Sequence, residues 1–357
     1  MKKIIGITLA LALILSLAAC GTTAKPTTAP VSSAAPAPQS EAPVGETKAP
    51  ETEAPQEVIH FKLGTANNID SPQQKVAEAM NELLAERLPK YTIDIHPSGQ
   101  LGGERDLIES VQMESLDLAV TATTPLANFV PSLGAGELLY LIQDYEQADA
   151  VYQGEIGARW LKDMEASNIK GLGFAEVGFR QLCTSNFEVN SIEDAKDIKL
   201  RVMENQIHVA GWKALGIDAI TMGWADAYAG VQQGTIDALE NPWCLIMANS
   251  VYEVCKDIAE TNHIYTAQAF MMSMKAWNSL TPEEQEIWQQ CAAEACQAAI
   301  EYNRTNTENF KSELIALGIT ITQPDVSEWE EMAKKLYDDY DSEYGDDIRA
   351  IQALASK

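Results

Sequence analysis

Arginine is the residue type in this chain best suited to directional chemistry, and the placement of two arginines is informative. The run Lys199-Leu200-Arg201-Val202 alternates, so Lys199 and Arg201 share one face of a strand. A guanidinium there offers a planar two-toothed fork that matches a carboxylate and stays charged when water is removed. Lysine would supply charge without orientation. On spacing alone, Arg201 suits a surface or interlobe ion pair equally well. Arg180 follows Gly178-Phe179, where the chain passes between predicted lobes, and it either assists at a ligand or holds that crossing by an ion pair. Asn241 precedes Pro242, which disfavours the α region at Asn241 and holds its amide at a strand end. Trp224, Tyr228 and Trp243 flank this stretch as candidate pocket walls, although aromatic residues more often belong to a core. Asn67 and Asn68 follow the first strand, placed to reach a cleft or to form a turn.

Other chemistries find no foothold. His60, His96, His208 and His263 are scattered, without metal-ligand spacing. No Gly-x-Ser-x-Gly elbow, His-Glu-x-x-His pair or phosphate-cradling glycine loop occurs, and Gly171-Leu172-Gly173 lacks the third glycine of a dinucleotide fingerprint. The expectation is therefore a binding protein rather than an enzyme, with no metal and no cofactor. A net charge of −27 excludes nucleic acid as a partner. It also means that an anionic ligand is drawn in by local positive groups against an adverse global field. Apart from Cys20, the cysteines are Cys183, Cys244, Cys255, Cys291 and Cys296, an odd number that leaves at least one free thiol or an intermolecular pair; the expectation is structural, unpaired cysteines.

The chain's start sets the compartment. Lys2 and Lys3 precede an apolar run from Ile4 to Leu17, too short for a spanning helix and fitting a secretory signal over residues 1–19. Leu17-Ala18-Ala19-Cys20-Gly21 resembles the bacterial lipobox, which implies cleavage before Cys20 and a lipid on its sulfur. Residues 20–57 are rich in Ala, Pro, Thr, Ser and Glu, and predict a disordered tether. The expected location is extracytoplasmic: lipid-anchored on the outer face of the bacterial cytoplasmic membrane, or periplasmic.

About 300 residues remain, more than one compact unit usually holds. Ile59 to Leu63 alternates as a strand. Ser71-Pro72-Gln73-Gln74 caps a helix whose stripe is Val76, Ala79, Met80, Leu83 and Leu84. Tyr91–His96 predicts a strand, Gly102–Glu114 a helix and Leu116–Val120 a third strand, a βαβ-type lobe. Strands at Gly171–Ala175, Arg180–Thr184, Ile198–Met203, Ala219–Met222 and Ile236–Leu239, with helices near 206–215 and 224–233, predict a second. Thr281-Pro282-Glu283-Glu284 is a capping box opening a helix that runs towards Gly318, or breaks among the polar residues Asn303 to Asn309. Ser327–Leu354 reads as an acidic surface helix.

Against these elements, a family resemblance emerges. Pro97-Ser98-Gly99-Gln100-Leu101-Gly102-Gly103-Glu104-Arg105-Asp106, then Gly178-Phe179-Arg180, Ile198-Lys199-Leu200-Arg201-Val202 and Gln232 to Pro242 resemble, in order, the solute receptors of tripartite ATP-independent periplasmic (TRAP) transporters. Tyr252-Glu253-Val254 and Thr261-Asn262-His263 continue the similarity, which covers roughly residues 58–320. It implies an α/β, two-lobe periplasmic-binding-protein-like fold of type II, with three crossing strands as hinge and one long helix bracing both lobes. The implied lobes are 58–177 plus about 266–306, and 178–265 plus about 307–357. It further implies that Arg201 grips a ligand carboxylate, Arg180 assists and Asn241 adds a hydrogen bond. Leu239 and the run Met203-Glu204-Asn205 depart from the family pattern and bear on specificity.

The expected function is capture of a small organic acid (a C4-dicarboxylate, sugar acid or keto acid) by an arginine–carboxylate clamp and lobe closure. Delivery to the membrane permease subunits of a TRAP transporter, by a monomer, follows from the resemblance. A sensory receptor or a hydrolytic enzyme on the same two-lobe frame is the alternative.

Overall fold

Alternating apolar residues build the first sheet. β1 (Ile59–Gly64) pairs in parallel with β2 (Tyr91–His96) and with β3 (Leu118–Ala122). The computed structural model describes residues 58–355; the calls on the signal sequence (1–19), on Cys20 and on the tether (20–57) lie outside the described residues. Between β1 and β2, the helix Pro72–Arg87 starts where the sequence predicts, with the Ser71 hydroxyl accepting from the Gln74 N–H. Phe61, Leu63, Met80, Leu84 and Trp288 meet beneath this face in one core, while Leu107, Val111, Trp160 and Phe174 anchor another on the opposite face.

β4 (Ile169–Thr184) joins the lobes. Its first part, from Ile169 to Phe179, pairs antiparallel with β9 (Tyr265–Ser273), which also pairs with β3. Its second part, Arg180 to Thr184, pairs with β7 (Ala238–Pro242) and, near its end, with β8 (Asp257–Ala259). β5 (Leu200–Val202) lies parallel between β7 and β6 (Ala219–Thr221), and β10 (Thr320–Thr322) pairs with β8. The second lobe packs around Trp212, Leu200, Leu182 and Trp329 on one face, and Leu239, Ile246, Ile258 and Leu314 on the other.

The sequence reading places two strands, Gly171–Ala175 and Arg180–Thr184, where the structure has the single strand β4. Pairing slips between Glu176 and Gly178, and Gly178 absorbs the irregularity at φ 89°. A Cβ there would lie 3.0 Å from the Tyr145 hydroxyl and 3.2 Å from Asn303 Nδ2. Only glycine suits both the backbone and the space.

The long helix spans Pro282–Ala316, 35 residues, or roughly 50 Å at 1.5 Å per residue. Thr281 and Glu284 close the predicted capping box. Of the two alternatives the sequence offers, the continuous helix is the one observed, and no break occurs among Asn303 to Asn309. Asn306 and Thr307 turn their side chains back onto the carbonyls of Tyr302 and Asn303, four residues earlier, and Asn303 donates to the buried carboxylate of Glu176. Arg304 binds Glu176 and Asp149 and lies 4.8 Å from the Tyr145 ring, tying the helix to β4 beside the crossing.

The C-terminal stretch divides between the lobes, whereas the resemblance assigns it to the second alone. Trp329 and Ala333 pack in the second-lobe core, but Tyr337, Ile348 and Ile351 pack in the first. Acidic composition hides that apolar stripe. Cys183, Cys244, Cys255, Cys291 and Cys296 are all buried and unpaired.

Candidate functional site

The parallel strands of both lobes end facing one another, and the space beyond such carboxyl ends is where open α/β sheets hold ligands. A cavity lies there, lined by residues at or just after the ends of β1, β3, β5 and β7 together with β4 and β9. Arg201, Arg180, Asn241, Asn67 and Trp224 all face it.

Arg201 lies on β5, bonded to both β6 and β7, so its position is fixed from either side. The residue is 4% exposed. Its Nε and Nη2 donate to the Met222 carbonyl at 2.8 and 2.6 Å, which occupies one edge of the guanidinium. Nη1 makes no protein hydrogen bond among the described residues, so the end of the fork remains available. No carboxylate lies within ion-pair distance of Arg201 among the described residues. Burial pushes its pKa down to about 10, with Glu240 opposing and Arg180 adding to the shift. A guanidinium desolvated this way gains from any anion that reaches it.

Arg180 is held differently. Its Nε donates to Glu240 Oε2, and Nη2 donates to the Glu240 carbonyl at 2.5 Å and to Asn241 Oδ1 at 3.2 Å. Both charges are fully buried. Burial alone would raise Glu240; Arg180 and His263, whose Nε2 lies 3.5 Å from Oε2, hold it well below the usual carboxylate range. Arginine can only donate, so its bond fixes the orientation of Asn241: the oxygen faces Arg180, and Nδ2 is buried without a partner. That unpaired N–H group and the free end of Arg201 supply donors to the cavity from β7 and β5.

The first lobe contributes groups that the sequence reading does not select. Glu104, at the start of the helix Glu104–Gln112, places Oε1 2.8 Å from the Ala122 N–H at the end of β3. Oε2 has no protein partner among the described residues. Burial raises the Glu104 pKa, opposed by that backbone N–H and by both arginines. Gln268 on β9 is 1% exposed with an unpartnered Oε1. A lone glutamine within Tyr265-Thr266-Ala267-Gln268-Ala269-Phe270 was the available signal, and Glu104 looks like an ordinary first-turn acid.

Direct bonds hold the lobes together around the cavity. Asn205 Nδ2 donates to the Thr124 carbonyl at 2.8 Å, Asn128 Nδ2 to the Glu204 carbonyl at 2.6 Å, and Asn249 Nδ2 to Asn67 Oδ1 at 2.8 Å. His208 Nε2 lies 2.9 Å from Glu137 Oε2, with both side chains buried. Asn68 belongs to this seam rather than to the cavity, donating from Nδ2 to the Ala248 carbonyl at 2.9 Å. Tyr228 also lies outside, its hydroxyl donating to Glu253, and Trp243 is buried in the second-lobe core beneath Lys311. Trp224 alone of the expected aromatic walls lines the cavity.

The sequence matches the family described as bacterial extracellular solute-binding protein, family 7, over residues 63–343. The structure is similar to that of a TRAP periplasmic solute-binding protein from Polaromonas sp. JS666 bound to D-erythronate, with 30% identity and a TM-score of 0.81, covering 84% of this chain and 99% of that one. Among sequence relatives, the sialic acid-binding periplasmic protein of Vibrio cholerae is 27% identical across 80% of this chain and 90% of its own. The C4-dicarboxylate-binding periplasmic protein of Rhodobacter capsulatus is 26% identical across 81% and 88%.

Proposed function

The chain belongs to the bacterial extracellular solute-binding protein family 7, the solute receptors of TRAP transporters, and from that membership we propose that it captures a small organic carboxylate on Arg201 and carries it to a membrane permease. One observation carries the reading: Arg201 is a buried guanidinium without a carboxylate partner among the described residues, its free end directed at a cavity between the lobes. The ligand carboxylate accepts two parallel N–H bonds from that end, supplemented by Asn241 Nδ2. Arg180, already neutralised by Glu240, orients Asn241. The anion is thereby bound against the chain's overall negative charge by one local cation in a site from which water is largely excluded.

Closure follows from geometry. Donors at Arg201 and Asn241 belong to the second lobe, whereas Glu104 and Gln268 belong to the first, so a ligand gains all its contacts only when the lobes meet. The seam bonds at Asn205, Asn128 and Asn249 then define the closed form. In this reading Cys20 carries the lipid and residues 21–57 tether the body to the outer face of the membrane, within reach of the permease.

A thermal-shift screen over small carboxylic acids and their amides tests the proposal. A bound acid at 100 times its dissociation constant stabilises by about 2.7 kcal/mol. The proposal predicts such shifts for acids and not for the matching amides; equal shifts for both, or none for any acid, contradict it. Cys20→Ser should release the protein from the membrane fraction.

A further inference from the structure

The charged groups lining the cavity are unequally committed. Arg180 and Arg201 are the cations, and Glu104 and Glu204 the anions. Arg180 is paired with Glu240, leaving Arg201 as the one lining cation without a carboxylate among the described residues. One ligand carboxylate satisfies it. Among the described residues no further cation lines the cavity to receive a second.

The opposite side is moreover acidic. Glu104 is fixed by the Ala122 N–H through Oε1, and Oε2 has no protein donor among the described residues. A carboxylate only accepts, so whatever approaches Oε2 must donate. Ligand hydroxyls do so. A second ligand carboxylate would instead set acceptor against acceptor and charge against charge in a site screened from water. Gln268, with its unpartnered Oε1, adds a further acceptor for a hydroxyl.

We infer that the cavity selects polyhydroxylated monocarboxylates over dicarboxylates, with Glu104 as the specificity-determining residue that accepts from ligand hydroxyls and repels a second carboxylate. This rests on the reading of Arg201 as the carboxylate anchor. It separates this chain from a four-carbon diacid receptor, although relatives include proteins named for each kind of ligand.

Matched acid pairs test the inference cleanly. D-erythronate and meso-tartrate share carbon number and hydroxyl pattern at C2 and C3, and differ in a terminal CH₂OH against a carboxylate; D-gluconate and D-glucarate differ in the same way. Like charges brought together cost several kcal/mol, so calorimetry on the full-length wild-type protein should find the diacid of each bound pair weaker by at least about 100-fold. In Glu104→Gln that ratio should shrink at least about 10-fold, because the amide removes the charge and presents a donor. Diacids bound as tightly as their monoacid partners by the wild type overturn the inference, as does an unchanged ratio in the variant. The wild-type ratio decides the preference for monoacids by itself, and the variant decides whether Glu104 sets it. Failure of every acid to bind instead overturns the carboxylate reading itself.

Discussion

Glu240→Gln tests the electrostatic framework behind the cavity. The Glu240 carboxylate and the Arg180 guanidinium are 0% and 1% exposed, so their pairing is almost unscreened. Removing one member of a buried pair costs about 3–5 kcal/mol, because the other charge remains without compensation. Here the backbone carbonyl of residue 240 and Asn241 Oδ1 still accept from Arg180, which places the expected loss near the lower end, about 3 kcal/mol. Urea denaturation at neutral pH measures it. The pH dependence gives a second readout. Glu240 is held below the ordinary glutamate value of about 4.3, so its contribution is present above that pH and is lost as pH falls towards the folded value. The wild type should therefore lose stability on acidification more steeply than Glu240→Gln. In the double variant Arg180→Met/Glu240→Leu most of the stability should return, since well-packed apolar residues replace buried pairs at little cost. A loss below about 1 kcal/mol for Glu240→Gln, the scale of an exposed pair, would refute the reasoning, as would parallel acid profiles.

Two further perturbations address the crossing and the seam. Gly178→Ala forces an L-residue to φ 89° against Tyr145 and Asn303, and should destabilise by about 1–3 kcal/mol in urea; an unchanged midpoint contradicts the strain assigned there. His208→Ala leaves the buried Glu137 carboxylate without its partner across the lobes, and should cost about 1–3 kcal/mol while increasing the ligand-free radius of gyration in small-angle scattering. Identical stability and scattering would show that this contact does not hold the lobes together.

Local signals were legible where chain geometry leaves few choices. Ser71 and Thr281 cap helices because hydroxyl, proline and an acid or amide follow in the required order, and the alternation around Phe61 and Ile93 reports a half-buried sheet. The arginines could be picked out because a guanidinium in a strand is unusual and its motifs occur in order. The continuity of β4 was not legible, since a glycine that permits a bulge looks the same in sequence as one that ends a strand. Nor could the sequence decide between a continuous and a broken long helix, because its polar middle is satisfied by its own carbonyls and by Glu176 from a distant strand. Tyr228 and Trp243 illustrate the same limit: aromatic spacing does not distinguish a pocket wall from a core, which depends on neighbours such as Lys311 and Glu253. Glu104 and Gln268 became visible only when tertiary structure showed which of their polar atoms had no partner.

The most direct measurement is calorimetric titration of Arg201→Lys and Arg201→Ala with the acid that most stabilises the wild type. Both variants should bind at least about 10-fold more weakly, because an ammonium retains the charge but loses the fork. Wild-type affinity in either variant would contradict the assignment of Arg201 as the carboxylate anchor.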